Sequence, residues 1–194
     1  MKENQRIAVT KRMLKEGLLR LLKTEELKKI RICQLCEEAG VNRATFYRHY
    51  ETVQDVLFEL ERDIALQMLP KGGVPTEPSQ IRHRLEELFT FVKENAEVIR
   101  ILIRCSAEED MRRRFNEFYR VYVLQRIEEQ REPKLDPAAA KSIVAFLAGG
   151  LYSLLRQWVE DGMPDPPGKL AAVAVSLIRL PVIEEMSFGE ERSV

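Results

Sequence analysis

The stretch AGVNRATFYRHY, Ala39–Tyr50, sets a glycine, two arginines, a histidine and three aromatic side chains in twelve positions. Gly40 suits a tight turn, because glycine enters positive φ without steric cost. Asn42 follows where a helix N-cap belongs, and the spacing predicts a helix over about Arg43–Tyr50. Upstream, Ile32, Leu35 and Cys36 recur with helical period and predict a short helix over about Ile32–Ala39. Two short helices around a tight turn form a helix-turn-helix, whose second helix enters the DNA major groove. Periodicity sorts the faces of that helix. Val41, Phe46 and Tyr50 point inward, Phe46 and Tyr50 being i, i+4 neighbours. Arg43, Ala44, Tyr47 and Arg48 are left outside. An arginine can grip guanine through two hydrogen bonds, and a small alanine can touch a thymine methyl. Thr45, Tyr47 and His49 can donate to phosphates, which hold register without reading sequence.

The flanking sequence is helical as well. Ile7, Met13 or Leu14, Leu18, Leu21 and Leu22 form an apolar stripe that predicts a first helix over about Arg6–Lys23. On the other side, Thr52 and Asp55 stand at the reciprocal positions of a capping box, with Asp in place of the usual Glu or Gln. The helix they open runs through Val56, Leu57, Leu60 and Ile64 to about Leu69. PKGGVPTEPS, residues 70–79, has three prolines and two glycines and reads as a loop. Beyond it, helices are expected over about Gln80–Lys93, Ala96–Arg104, Glu108–Arg131, Pro137–Asp161 and Pro167–Ile183. Pro137 and Pro167 fit first turns, where a missing N–H costs nothing. The expected fold class is all-α. An N-terminal three-helix helix-turn-helix domain, residues 1–52, joins a C-terminal helical domain, residues 53–194, through a connecting helix over about 53–69 and the loop 70–79.

The formal net charge of zero hides an asymmetry: residues 1–50 carry 12 Lys+Arg against 6 Asp+Glu, and the rest carry 19 against 25. A basic head on an acidic body suits a head that binds a polyanion. The N-terminus is too polar for a secretory signal, and the longest nearly apolar run, Ile143–Leu155, is too short to span a bilayer. That run reads as a helix buried on most faces. Three cysteines make no disulfide framework, so a reducing cytoplasm is the expected compartment. Cys33 and Cys36 form a C-x-x-C, but without the strand context of a redox motif or the further ligands of a zinc site. A cysteine-based redox sensor is the alternative those thiols would support. Two histidines and no nucleophile–base spacing argue against an enzyme. With no phosphate-cradling glycine loop and no metal-ligand cluster in the sequence, neither cofactor nor metal is expected.

The same residues resemble the TetR/AcrR family of bacterial transcriptional regulators. Its members are alike at A-G-V-S-x-x-T-[FL]-Y-x-H-F, followed by a Ser-Lys pair that opens the next helix. This chain has Ala39, Gly40, Val41, Asn42, Thr45, Phe46, Tyr47, His49 and Tyr50 at those places. TKRMLKEGLLRLL, Thr10–Leu22, is similar to the family's first helix, and the likeness covers about Arg6–Leu69. A weaker one lies in GGLYSLLRQWVEDGMP, Gly149–Pro164. Three positions depart from the pattern. Arg31 stands where a Thr or Ser usually caps the second helix; it cannot accept a backbone N–H but can reach a phosphate. Val53 replaces the lysine of the Ser-Lys pair, which commonly contacts phosphate. Asn42 replaces Ser and keeps the capping chemistry.

The resemblance implies a sequence-specific DNA-binding transcriptional regulator, a ligand-responsive dimeric repressor that reads a palindromic operator in double-stranded DNA. Its DNA-binding set would be Arg31, Asn42, Arg43, Ala44, Thr45, Tyr47, Arg48 and His49. The family's last two long helices pair with those of a second subunit. Here the two expected C-terminal helices are too apolar for one small domain to cover, and Ala145, Ala148, Gly149 and Gly150 would let helices approach closely. An unknown small-molecule effector would bind in the body, for which Phe89, Ile101, Arg104, Phe115, Phe118, Tyr119, Tyr122 and Trp158 are candidate lining. Phe91, Arg100 and His83 are further candidates. The effector would act by shifting the spacing of the two heads, with the helix after Thr52 as lever. A second reading keeps the DNA binding and drops the effector, with a filled core and control by a partner.

Overall fold

The computed structural model describes residues 3–68, 78–105, 109, 111–117 and 136–187, which hold helices and turns and no strand. The helices are α1 (Glu3–Leu22), α2 (Ile32–Ala39), α3 (Arg43–Tyr47), α4 (Val53–Met68), α5 (Pro78–Glu94), α6 (Ala96–Cys105), α7 (Pro137–Glu160) and α8 (Pro167–Ser187), with a 3₁₀ turn at Leu27–Lys29. Residues 111–117 are helical too. α7 and α8 each begin on their proline. Most of the loop expected at residues 70–79 lies outside the described residues.

Contacts gather the chain into two compact units. The first holds Met1–Gln67 together with Glu97–Ala107, so α6 belongs with the four N-terminal helices α1–α4. Its core is the inward stripe of each helix: Leu14, Leu18 and Leu22 of α1, Leu35 and Cys36 of α2, Phe46 of α3, and Val56, Leu57 and Leu60 of α4 are all buried. α1 packs on α2 at Gly17, where an added Cβ would lie 3.1 Å from the Ala39 Cβ and 3.2 Å from its backbone. α6 adds Ile99, Ile101 and Leu102 to the buried set. Its Arg104 guanidinium donates to the carbonyl of Leu22. That is a cation at a helix C-terminus, where orphan carbonyls and the dipole favour it.

An ion cluster ties α1 to α4. The Lys11 ammonium lies 2.8 Å from Glu59 and 5.3 Å from the centre of the Tyr50 ring. Lys15 reaches both Glu59 and Asp63. Burial alone would push the Glu59 carboxyl up, but the lysines and the Tyr50 hydroxyl hold it below its ordinary range.

The second unit holds Met68–Ala96 and Glu108–Val194. α5 packs along α8, burying Leu85, Phe89 and Val92 from one and Leu170, Ala171, Ala174 and Val175 from the other. α7 splits by face. Ala148, Leu151, Tyr152, Leu155, Trp158 and Val159 are buried, while Ala145, Phe146, Gly150 and Ser153 are exposed. The helix exceeds the apolar run seen in the sequence, and by length and composition Lys141–Glu160 could cross a bilayer. Its inward side instead carries Trp158 against Phe89, ring centres 5.7 Å apart, and its last turn carries an Arg156–Glu160 ion pair at 2.8 Å. The helix closes on Gly162 and Met163, both at positive φ. Met163 N–H donates to the Trp158 carbonyl at 2.8 Å and Gly162 N–H to Val159 at 3.1 Å, the Schellman pattern. Met163, the residue after the glycine, is itself buried.

Candidate nucleic-acid interface

The turn between α2 and α3 is built as its residue types require. Gly40 has φ 64° and ψ 31°, in the left-handed region. Its N–H donates to Glu37 at 3.1 Å, and the Val41 N–H donates to Cys36 at 2.9 Å, closing α2 with a second Schellman pair. The Asn42 side chain then accepts from the Thr45 N–H at 2.7 Å and caps α3. α3 stops at Tyr47, three residues short of the expected end. Arg48 and His49 continue in a tighter turn, with Arg48 N–H to Thr45 at 3.3 Å and His49 N–H to Phe46 at 2.9 Å. Tyr50 still lies inside, its ring 5.9 Å from that of Phe46.

The two faces of α3 separate as expected. Phe46 and Tyr50 are buried, and Val41 is half-buried. Arg43, Ala44, Tyr47 and Arg48 are exposed, Tyr47 to 60%. Thr45 and His49 are half-buried, and Asn42 is exposed but committed to its cap. Arg31 sits at the N-cap of α2 without a side-chain capping bond, which leaves its exposed guanidinium available. The eight residues expected to meet DNA therefore lie on one short stretch of the first unit, the N-terminus of α2 through α3 and the turn after it.

The next helix is held by a reciprocal box. Asp55 N–H donates to the Thr52 hydroxyl at 3.2 Å, while the Asp55 carboxylate accepts from Thr52 N–H at 2.7 Å and Glu51 N–H at 3.0 Å. These bonds favour the charged form, and that from the Thr52 N–H does most to hold the Asp55 carboxyl below its ordinary value. Val53, in place of the family's lysine, is 8% exposed and belongs to the core. Lys28 and Lys29 of the 3₁₀ turn are both bound to Glu26, whose carboxyl their hydrogen bonds pull down to about 2.

The proposed effector lining is divided. Ile101 and Arg104 lie on α6 in the first unit, Ile101 buried and Arg104 bonded to Leu22. Phe89, Phe115 and Trp158 lie in the second. Phe89 and Trp158 form an edge-on pair, and the indole N–H donates to the Asp165 carbonyl at 3.1 Å. Phe115 meets Tyr152 at 5.5 Å between ring centres. Phe118, Tyr119 and Tyr122 lie outside the described residues. Of the other candidates, Phe91 is half-buried, Arg100 is exposed, and exposed His83 stands 3.4 Å from Glu87. Sequence reasoning missed Tyr152 and the Lys11–Lys15–Glu59–Asp63 cluster. The i, i+4 spacing of each charged pair was the available signal. Burial raises the pKa of the Cys36 thiol, the opposite of what a reactive thiolate needs. Among the described residues no His, Cys, Asp and Glu cluster could hold a metal ion.

Residues 79–180 match a TetR C-terminal family described as the C-terminal region of transcriptional regulators. No curated protein sequence gives a match. Among solved structures, the fold is similar to a TetR transcriptional regulator from Streptococcus agalactiae 2603V, at 20% identity over 91% of this chain and 97% of that one, with a TM-score of 0.65. It is also similar to the dihydroxyacetone kinase operon activator DhaS, at 14% identity over 90% and 97%, TM-score 0.63. A TetR-family regulator from Streptomyces coelicolor gives 17% identity over 92% and 82%, TM-score 0.60. The family match spans more than half of the sequence, and with the helix-turn-helix in front of it the chain belongs to the TetR family of transcriptional regulators.

Proposed function

We propose that the protein is a cytoplasmic homodimeric repressor that reads a palindromic operator through Arg31, Arg43, Ala44, Thr45, Tyr47, Arg48 and His49, with Asn42 capping the reading helix, and that a small-molecule effector releases it. One arrangement carries the DNA-reading part. A five-residue helix, capped at its start and packed through Phe46, and the turn after it set two arginines, an alanine and a tyrosine outward. Side chains of these types match base edges and phosphates in the major groove.

The dimer reading rests on α7 and α8. Phe146 is 68% exposed, Val173 43% and Leu177 55%. Beside Phe146, a Cβ built on Gly149 or Gly150 would meet nothing within 4 Å. An apolar face with open, small positions suits a second copy of the same helices. Two half-sites one DNA turn apart, roughly 34–36 Å, would then compensate for a short recognition helix.

The test is selection of bound sites from random duplex DNA, with salt titration of the winner. A palindrome with half-sites one turn apart supports the reading, together with an affinity that falls steeply with salt as phosphate contacts release counterions. A flat salt response, or no enrichment, removes it. The second reading, a regulator controlled by a partner, is favoured by the close Phe89–Trp158 pair, since both rings serve as buried core. A library of small molecules that never releases the selected DNA would favour it further. The sign of regulation is tested by deleting the gene and measuring transcripts beside the selected sites: repression predicts a rise. The similarity to an operon activator makes a fall the competing outcome.

A further inference from the structure

A shallow cleft of about 470 Å³ opens in the first unit between the start of α2, α3 and the start of α4. Its floor is apolar. Ile30 and Val53 are buried there, and Ile32 and Cys33 are half-buried. The exposed ring of Tyr47 lines one side. Arg31 and Arg43 also line it, both exposed, and neither guanidinium has a carboxylate partner among the described residues. Thr52 and Gln54 complete the lining.

We propose that this cleft binds a small aromatic carboxylate that competes with DNA for the reading surface. A bare phosphate would satisfy the two guanidiniums but leave a hydrated polyanion against Ile30, Ile32 and Val53. An aromatic carboxylate matches both halves. Its ring covers the apolar floor beside Tyr47, and its carboxylate takes the planar, paired donors that arginine offers. The volume falls within the roughly 300–1,000 Å³ of small-molecule sites. Val53 is apolar and buried, so the floor carries no charge, and the cations that line the cleft are Arg31 and Arg43. Release would then occur by direct exclusion at Arg43 and Tyr47, without a change passing through the body. The competition rests on the DNA-binding reading above; the site itself does not.

The test titrates the ¹⁵N-labelled full chain with 2-naphthoate, with neutral 2-naphthamide and with inorganic phosphate, following backbone amide shifts. Naphthoate should move the amides of Ile32, Cys33, Thr52, Val53 and Gln54 saturably. Naphthamide should bind about 10-fold more weakly, since it loses hydrogen bonds between charged groups. Arg31→Ala, a change at an exposed position, should weaken naphthoate about 5-fold or more with the circular dichroism spectrum unchanged. Equal affinity for naphthamide, equal affinity for phosphate, or shifts confined to the second unit would overturn the proposal. Displacement of naphthoate by the selected duplex supports the competition. If naphthoate fills the cleft in a chain that binds no DNA, the site stands and the DNA reading falls.

Discussion

Gly150→Leu separates the two settings in which α7 can sit. In a single chain the position is exposed, and a Cβ there would touch nothing within 4 Å. The replacement should therefore stabilise the lone helix, because glycine in a helix interior costs roughly 0.8–1.0 kcal/mol relative to the best helix formers. In a dimer closed through α7 and α8, the same side chain enters a packed seam. Overpacking costs about 1–3 kcal/mol per site, and two-fold symmetry presents the site twice, so the interface should lose about 2–6 kcal/mol. At roughly 1.4 kcal/mol per factor of ten, the dimer Kd should weaken by about 30-fold to more than 10⁴-fold. Sedimentation velocity across a concentration series reads the dimer directly, and thermal melts at low concentration read the monomer. Gly150→Ala is the graded control, with the same helix gain and a smaller clash. A Gly150→Leu protein that melts higher and dimerises as before would refute the placement of these glycines at the seam.

Arg43→Ala should relax discrimination at one base position of the selected site, costing on the order of 1–3 kcal/mol there; equal weakening on all sequences would make Arg43 a phosphate contact only. Asn42→Ala removes the 2.7 Å cap on Thr45 N–H and should cost about 1 kcal/mol in urea unfolding. Gly17→Ala should destabilise by on the order of 1 kcal/mol, because Ala39 Cβ and backbone already lie 3.1–3.2 Å from where its methyl would sit and overpacking outweighs the helix gain; unchanged unfolding would mean that α2 moves aside freely. Burial of the Tyr50 hydroxyl, together with the nearby Glu59, raises its pKa above the ordinary value of about 10. The folded chain thus keeps a proton that the unfolded chain releases. Stability is complete below about pH 10 and should fall as pH rises beyond it. Tyr50→Phe should flatten that alkaline slope in denaturation measured from pH 8 to 11.

The local features of the reading head could be read in the sequence because they depend on residues within a few positions of one another. Gly40, Asn42 and the Thr52–Asp55 box each satisfy backbone groups one turn away, and the structure returns all three. The faces of α3 followed from period alone, since Phe46 and Tyr50 lie one turn apart. Its end did not: the capping of α3 is local, but its last turn is tightened by the packing of Tyr50 against Phe46 and the core. The candidate effector lining was the least legible part. Aromatic residues at helical spacing look alike whether they fill a core or face a cavity, and Phe89 and Trp158 turn out to face each other.

The sequence by itself determined that the chain is helical, where the helix-turn-helix lies, which of its side chains point outward, and which family it resembles. Each of these rests on turn chemistry, capping and a 3.6-residue period, which act over short distances along the chain. Only the tertiary structure decided that α6 joins the N-terminal unit, that Arg104 bonds the end of α1, and that Lys11 and Lys15 meet Glu59 and Asp63. It also decided that Val53 is core and that Arg31 and Arg43 line one cleft. Those pairings join residues as many as 82 positions apart. They are set by which apolar stripes cover one another, and no local pattern specifies that choice.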